Sequence, residues 1–214
     1  MKTVSLAVVV TFAVLFGAPA SAQERLGPIP PEQMTETQKK VVADFTKVRK
    51  NGPFGFWWGY LRVPEVTLPF LEIQTYVHDV LESPNSAIGE KLTHFAILMV
   101  ARQWTQQVIW SLHEANAIKS GLKPEIVSAL AAGRRPPAMS DDEEILYDFC
   151  IELQQNQSVS DGTYARMLKR FGEKGVAEAT LLQGEYTLMS MFMNVARTPL
   201  TDPKAKPPLS AFPR

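Results

Sequence analysis

The apolar residues of this chain recur at helical spacing from Thr35 almost to the end, and this period leaves little room for other secondary structure. The longest such segment, Lys174 to Ala196, has an apolar stripe broad enough to face both a core and a partner subunit. The stripe consists of Ala177, Leu181, Leu182, Tyr186, Met189 and Phe192. Alternating β-branched runs and tight hairpin turns, the usual signs of strands, are missing after residue 22. The sequence therefore predicts an all-α fold, arranged as a helical bundle.

Capping residues and helix breakers divide the periodic region into successive helices. Ser140 and Glu143 form a capping box at the start of one helix, and Gly121 is placed to take the left-handed conformation that ends another. Phe54 to Tyr60 is too aromatic to be left in water and too rich in glycine for a secure helix, so we expect it to line a cavity. The predicted helices are Thr35 to Arg49, Pro64 to Leu81, Ile88 to Arg102, Thr105 to Ser120, a short helix from Pro124, Ile145 to Leu153, a segment from Ser160, and Lys174 to Ala196.

Residues 1–22 have the pattern of a cleavable secretory signal. Lys2 supplies a positive charge, Val4 to Phe16 is almost entirely apolar, and Ala20-Ser21-Ala22 has the small residues that signal peptidase requires. The apolar run is shorter than the roughly 20 residues of a membrane-spanning helix. We therefore expect cleavage after Ala22, a periplasmic or secreted location, and no membrane attachment afterwards.

Cleavage leaves about 190 residues, enough for one domain with a substantial core. The predicted segments are the signal (1–22), an N-terminal arm with the first helix (23–51), the helical domain (52–200) and a Pro-rich tail (201–214). The chain has 22 basic and 22 acidic side chains, interspersed along its length, so we expect no nucleic-acid partner. Its one cysteine, Cys150, excludes an internal disulfide, and the apolar residues on the same helical face indicate a small core residue.

Acid–base chemistry in this sequence centres on three histidines, of which His78 lies near a helix end and interacts mainly with the helix dipole. His94 lies among apolar residues of the third helix, and His113 shares a face of the fourth helix with Gln106 and Trp110. If these helices pack as an antiparallel pair, both imidazoles converge on one pocket, and their unperturbed pKa is close to neutral. The alternative is that each imidazole completes a hydrogen bond in the core. Neither helix has the Glu-x-x-His or His-x-x-x-His spacing of a metal site, so we expect no metal and no other cofactor.

A stretch on the third and fourth helices resembles a known family. His94 to Arg102, Trp104 to Leu112, His113 and Gly121-Leu122 are similar to the core of the carboxymuconolactone decarboxylase family, which includes the helical alkylhydroperoxidases. The resemblance implies an all-helical subunit that assembles into homotrimers or homohexamers, with a pocket formed by the third and fourth helices. Further elements in the family's order extend it over nearly all of 52–200: Gly52-Pro53-Phe54, Asp142 to Phe149, Val159-Ser160-Asp161, Tyr164 to Phe171, Tyr186-Thr187-Leu188, Met191, Asn194 and Thr198-Pro199-Leu200.

Two departures from the family pattern change the chemistry that the resemblance implies. His94 stands where the family usually has an acidic residue, so an imidazole replaces a carboxylate. The Cys-x-x-Cys pair of the peroxidase branch corresponds to Gln106 and Ile109, so thiol peroxidase activity is not expected. Trp110 and His113 stand where the family has its tryptophan and its active-site histidine.

The resemblance, together with the predicted export signal, therefore indicates a periplasmic lyase, isomerase or hydrolase that acts on a small cyclic or aromatic-derived acid, such as a lactone. His113 is expected to carry the proton, His94 to take the role of the missing carboxylate, and Gln106 and Gln107 to donate hydrogen bonds to the substrate. Glu185 is a further candidate acid, although we expect it to face solvent. The expected cavity walls are Trp104, Trp110, Phe56 and Trp57, for which core packing is the alternative. For the whole chain, the alternatives are a non-catalytic small-molecule-binding protein and a scaffold without a ligand.

Overall fold

A computed structural model describes residues 23–81, 83, 85–202, 205 and 208–211, and this part of the chain contains eight α-helices and no strand. A 3-10 turn covers Pro31–Gln33, and a π-helical segment, Val77–Leu81, continues the third α-helix. The α-helices are α1 (Glu36–Val48), α2 (Trp57–Tyr60), α3 (Pro64–Tyr76), α4 (Glu90–Gln103), α5 (Gln107–Lys119), α6 (Pro124–Ala131), α7 (Asp141–Asn156) and α8 (Asp161–Ala196). The predicted all-α fold is confirmed, whereas the predicted signal, residues 1–22, lies outside the described residues.

Local sequence explains where several of these helices begin and end. Thr35 and Gln38 form a capping box at the start of α1, in which the Gln38 backbone N–H donates to Thr35 Oγ1 at 3.2 Å. The predicted capping box of Ser140 and Glu143 is confirmed at the start of α7. Gly121 has a φ of 102° directly after α5, which confirms its predicted role as a left-handed helix terminator.

The last helix, α8, is interrupted at Gly172. This residue has φ 68° and ψ 179°, a backbone conformation that glycine adopts without the steric cost of a side chain. The sequence predicted two helical segments here, one from Ser160 and one from Lys174, and they correspond to the two sides of this break.

The junction of α4 and α5 differs from the prediction. The fourth helix was expected from Thr105, but Thr105 has a φ of 48°, and Gln106 is the N-cap residue whose side chain accepts from the Val108 backbone N–H at 2.7 Å. Helix α5 therefore begins at Gln107. The three residues between the two helices turn the chain so that α4 and α5 pack against each other.

Helix α4 lies at the centre of the bundle, where it packs against α5, α6, α7 and α8. Every residue from Leu92 to Arg102 is buried, so this helix has no solvent-facing stripe over three turns. A polar side chain on this part of α4 is therefore surrounded by protein, and His94 is one of them.

The sequence suggested that the aromatic segment Phe54 to Tyr60 lines a cavity. In the structure, part of this segment lies in the core. Its residues 57–60 form the short helix α2, and Trp57 and Tyr60 are almost completely buried. Trp57 contacts the rings of Phe45 and Phe70 at centroid distances of 4.9 and 5.7 Å. Burial of such large rings is a main source of core stability, so α2 acts largely as a packing element.

The N-terminal arm and the C-terminal tail both lie against the bundle. The Arg25 backbone N–H donates to the Ala196 carbonyl at 2.7 Å, at the end of α8. In the tail, the side chain of Gln107 exchanges two hydrogen bonds with the backbone of Leu209, and Arg102 donates to the Ser210 carbonyl at 2.8 Å. Among the described residues, none of the helices combines the length and hydrophobicity needed to cross a lipid bilayer.

Candidate functional site

The two histidines that the sequence placed on neighbouring helices meet inside the bundle. His94 Nδ1 on α4 lies 3.1 Å from His113 Nδ1 on α5, and the ring centroids are 5.3 Å apart. His94 is 1% exposed and His113 is 7% exposed. The predicted convergence of the two imidazoles therefore occurs, and it occurs in a region from which water is largely excluded.

The facing nitrogen atoms restrict how many protons this histidine pair can hold. A hydrogen bond between two Nδ1 atoms needs one nitrogen with a proton and one without, because two N–H groups at 3.1 Å would repel each other. The pair can therefore be neutral or carry one extra proton, but it cannot hold two imidazolium ions in this geometry. Its titration belongs to the pair and not to either residue.

Tyr186 on α8 is a third member of the site that sequence reasoning did not select. Its hydroxyl lies 3.4 Å from His113 Nε2, the outer limit of a hydrogen bond, and the two rings are perpendicular with centroids 5.4 Å apart. The signal in the sequence was a tyrosine within the apolar stripe of the last helix, where a buried hydroxyl requires a polar partner. His113 thus contacts one polar group at each of its ring nitrogens.

Glu90 extends the site towards solvent. It lies one turn before His94 on α4, and its Oε1 is 3.9 Å from His94 Nε2. This separation is longer than a hydrogen bond, but it is short enough for a carboxylate to stabilise a proton on the facing nitrogen. The Glu90 side chain is 54% exposed, so it connects the buried imidazoles with the surface of the bundle.

Glu185 is buried, which corrects the prediction that it faces solvent. It is 5% exposed, and its Oε1 accepts a hydrogen bond from Gln74 Nε2 on α3. Burial raises the pKa of Glu185 to about 7, although the Gln74 bond and the charge of His78 act in the opposite direction. Burial and the neighbouring Glu185 carboxylate also raise the pKa of Tyr60. Glu185, Gln74 and Tyr60 therefore form a second polar cluster, distinct from the histidine pair, although Glu185 and Tyr186 are adjacent in sequence.

The two glutamines that were expected to bind substrate are engaged in structural hydrogen bonds. Gln106 Oε1 caps α5, and its Nε2 donates to Asn194 Oδ1 at 2.9 Å. Gln107 donates to and accepts from the backbone of Leu209. These hydrogen bonds give both residues a role in positioning α5 and the tail, and their role in substrate binding stays a prediction.

The four predicted aromatic walls do not surround a single cavity. Trp57 lies in the core against α1 and α3, and Trp110 is buried on α5. Phe56 lines a cavity of about 500 Å³, whereas Trp104 lines a different one of about 630 Å³. The alternative of core packing is therefore correct for Trp57, and the other three are distributed over separate parts of the bundle.

The larger cavities of the described region lie beside the histidine pair's helices and are mostly apolar. The cavity of about 500 Å³ is bordered by the N-terminal arm, the aromatic segment, α5 and the residues after α8. Its lining residues are Glu24, Pro28, Phe54, Gly55, Phe56, Trp58, Val108, Leu112, Met193, Thr198, Pro199, Leu200 and Thr201. Within the part of the chain that the structure describes, the imidazoles of the pair do not line this cavity or the one beside Trp104.

Few side chains in the described region are candidates for metal binding or thiol chemistry. In residues 23–81, 83, 85–202, 205 and 208–211, no group of three or more His, Cys, Asp or Glu side chains is placed to hold a metal ion. Cys150 is fully buried, which confirms the prediction of a core residue, and burial raises the pKa of its thiol.

An all-helical bundle with this arrangement of helices belongs to the AhpD-like class of folds. A structural comparison finds the crystal structure of a protein of unknown function, ATU0492, from Agrobacterium tumefaciens, described as a putative antioxidant defence protein AhpD. The similarity has a TM-score of 0.55 at 13% sequence identity and covers 65% of this chain and 92% of that chain. At this identity the likeness establishes the fold alone. No protein-family model matches the chain, and a search of curated proteins finds no match either.

Proposed function

We propose that this chain is an exported member of the carboxymuconolactone decarboxylase-like family and that it catalyses proton transfer on a small organic acid. The order of residues from His94 to His113 and the AhpD-like fold support the family. The single observation that supports the chemistry is the buried contact of His94 Nδ1 with His113 Nδ1 at 3.1 Å. A pair of imidazoles that shares protons in a water-poor site is suited to general acid–base catalysis near neutral pH.

The proposed substrate is a small cyclic or aromatic-derived acid, such as a lactone, and the reaction is a lyase, isomerase or hydrolase step. In each of these reactions a base removes a proton next to a carbonyl group or activates water, and an acid returns a proton. The pair becomes cationic when it takes up a proton, so its charge would balance an anionic intermediate. Gln106 and Ile109 at the positions that correspond to the Cys-x-x-Cys pair support non-thiol chemistry.

Export and oligomer formation belong to the same proposal. The predicted cleavage after Ala22 places the mature protein in the periplasm or outside the cell, and the resemblance implies a homotrimer or homohexamer. N-terminal sequencing of protein from a periplasmic extract, which should begin at Gln23, tests the first point. Light scattering of the protein as it elutes from a size-exclusion column gives its molar mass and so tests the second point.

The activity is tested by incubating the purified protein with a panel of lactones of small carboxylic acids and following the products by NMR. We expect His113→Ala to lower kcat by about 10²- to 10⁴-fold, because general acid–base catalysis has that magnitude. His78→Ala is the matched control, because His78 lies on the π-helical segment outside the pair, and it should retain turnover. Circular dichroism is the control for the folding of both variants. Equal rates for His113→Ala and the wild type would contradict the proposal.

A second candidate function is small-molecule binding without turnover. It is favoured by the apolar cavity of about 500 Å³, which has the size and lining of a ligand site and lies apart from the imidazoles. Binding of an aromatic ligand that is weakened at least tenfold by Phe56→Ala, but unaffected by His113→Ala, would support this function. Turnover that depends on His113 would exclude binding as the sole function.

A further inference from the structure

The cavity beside Trp104 lies between the ends of α4 and α7 and the middle of α8. Its volume of about 630 Å³ is within the range of about 300 to 1,000 Å³ that is usual for small-molecule sites in proteins. The histidine pair does not line it, so the proposed acid–base chemistry does not account for it. The residues that line it are Gln103, Trp104, Leu153, Gln154, Gln157, Thr180, Gln183, Gly184 and Thr187.

The polar side chains in this lining are all uncharged. They are four glutamines and two threonines, and no Asp, Glu, Lys, Arg or His is among the described residues that line the cavity. Most of the surface is carbon, which Trp104, Leu153 and the aliphatic parts of the glutamines and threonines supply. A charged ligand would lose water here without gaining an ion of opposite sign, which is costly. The lining therefore favours a neutral ligand.

Two glutamine side chains form a row of hydrogen bonds in one wall of the cavity. Gln183 Nε2 donates to the Ala96 carbonyl of α4 at 3.2 Å, and Gln183 Oε1 accepts from Gln154 Nε2. A backbone carbonyl only accepts, so it determines the orientation of the Gln183 amide and, through it, that of the Gln154 amide. The row ends at Gln154 Oε1, which is buried and has no hydrogen-bond partner among the described residues. Because a buried acceptor without a partner is unfavourable, this wall favours a ligand with hydrogen-bond donors.

Other residues of the lining supply groups that both donate and accept. Gln103 and Gln157 are exposed at the ends of α4 and α7, and each side-chain amide has donors and an acceptor. The hydroxyl group of Thr187 on α8 has the same two capacities. Trp104 is half-buried, and its indole is a flat apolar surface. A sugar ring matches this combination, because hydroxyl groups surround its edge and C–H bonds form an apolar face.

From these observations we infer that the cavity beside Trp104 binds a neutral sugar of one or two rings. One ring lies against the indole, and its hydroxyl groups form hydrogen bonds with the glutamine and threonine side chains. The inference goes beyond the proposed function, because it concerns a different cavity and a ligand without an acid group. A phenol has an apolar ring but a single hydroxyl group, so it would leave most of these amides without a partner.

Gly184 offers a way to block the cavity without changing the core. A Cβ atom at this position would meet no atom within 4 Å, and the residue lies in the middle of α8. Leucine favours a helix more than glycine does, so Gly184→Leu should fold while its side chain extends into the open space. Gly162 on α8 has equally open surroundings but does not line this cavity. Gly162→Leu is therefore the matched control.

The first test is isothermal titration calorimetry of the purified protein with glucose, N-acetylglucosamine and maltose, and with benzoate and butylammonium as charged comparisons. We expect at least one of the sugars to bind with a Kd below about 1 mM and neither ion to bind. Gly184→Leu should weaken sugar binding at least tenfold, and Gly162→Leu should leave it unchanged. The absence of binding by all three sugars, preferred binding of either ion, or equal affinities of the two leucine variants would overturn the inference.

Two further variants test the contacts expected in the cavity. Trp104→Ala should weaken sugar binding at least tenfold, because the apolar face of the ring loses the indole. Thr187→Val keeps the shape of the side chain and removes the hydroxyl group, so the affinity should fall about threefold to tenfold. Wild-type affinity in folded Trp104→Ala, with folding checked by circular dichroism, would overturn the placement of the sugar. If a sugar binds as expected but no lactone is converted, the inference stands and the proposed function fails. If lactone turnover needs His113 but no sugar binds, the proposed function stands and the inference fails.

Discussion

Glu185→Gln is a substitution that removes one titration from the folded core. The Glu185 carboxyl group is buried on α8, where Gln74 binds one of its oxygens and the other, Oε2, has no hydrogen-bond partner among the described residues. Burial raises its pKa from 4.5 to about 7. Glutamine has nearly the same shape and retains an oxygen that accepts from Gln74, but it does not ionise.

The sign of the pH dependence follows from the two pKa values. The unfolded chain loses the Glu185 proton near pH 4.5, whereas the folded protein keeps it up to about pH 7. Between these values the unfolded state gains an ionisation that the folded state lacks, so Glu185 lowers the free energy of unfolding as the pH rises. Above pH 7 the full cost is present, and a rise from 4.5 to about 7 corresponds to about 3 kcal/mol.

The assay is urea-induced unfolding of the wild-type protein and of Glu185→Gln at pH 5 and pH 8. From pH 5 to pH 8, the stability of the variant relative to the wild type should increase by about 2 to 3 kcal/mol. This comparison removes the effects of all other titrating groups and of the amide itself. Glu173→Gln, an exposed acid on the same helix, is the control and should show no such change. A difference between variant and wild type that is the same at both pH values would refute the reasoning.

Two further predictions concern the backbone of α8 and the thiol of α7. Gly172→Ala should destabilise the protein by about 1 to 3 kcal/mol, because φ 68° with ψ 179° is a backbone conformation that a residue with a side chain rarely adopts, even though no neighbouring atom would clash with the new methyl group. Gly162→Ala should instead stabilise the protein by a few tenths to about 1 kcal/mol. Equal urea midpoints for these two variants would contradict the role of the break. Cys150 should react with a thiol reagent at most about a hundredth as fast in the native protein as in 6 M urea, because its thiol is fully buried. The reaction is monitored by absorbance, and a fast reaction of Cys150 in the native protein would contradict its place in the core.

Elements determined by neighbouring residues were predictable from the sequence. The capping box of Ser140 and Glu143, the terminator Gly121 and the two segments of α8 depend on side chains within a few positions of each other. The burial of Trp57 was not predictable in this way, because it depends on rings supplied by α1 and α3. The π-helical segment after α3 has the same apolar period as a longer helix, so the sequence could not distinguish the two.

The candidate site shows the same division between local and distant partners. His94 and His113 were predictable because a short connection makes α4 and α5 neighbours. Tyr186 is 73 residues from His113, and on a helical wheel it is one more member of an apolar stripe. Glu185 was assigned to solvent because the helix pattern does not show that α3 covers that side of α8 with Gln74.

The family that the sequence resembles usually has an acidic residue at the position of His94, and this difference bears on the place of Glu90 beside the histidine pair. A carboxylate at position 94 would place a negative charge directly beside His113, in a region where residue 94 is 1% exposed and ionisation is costly. With histidine there, the buried contact is between two imidazoles, and the Glu90 carboxylate lies one helical turn away, half exposed to solvent. The site thereby has a negative charge near its imidazoles without the cost of desolvating that charge, and the substitution His94→Glu should separate the two arrangements by raising the pH at which His113 titrates.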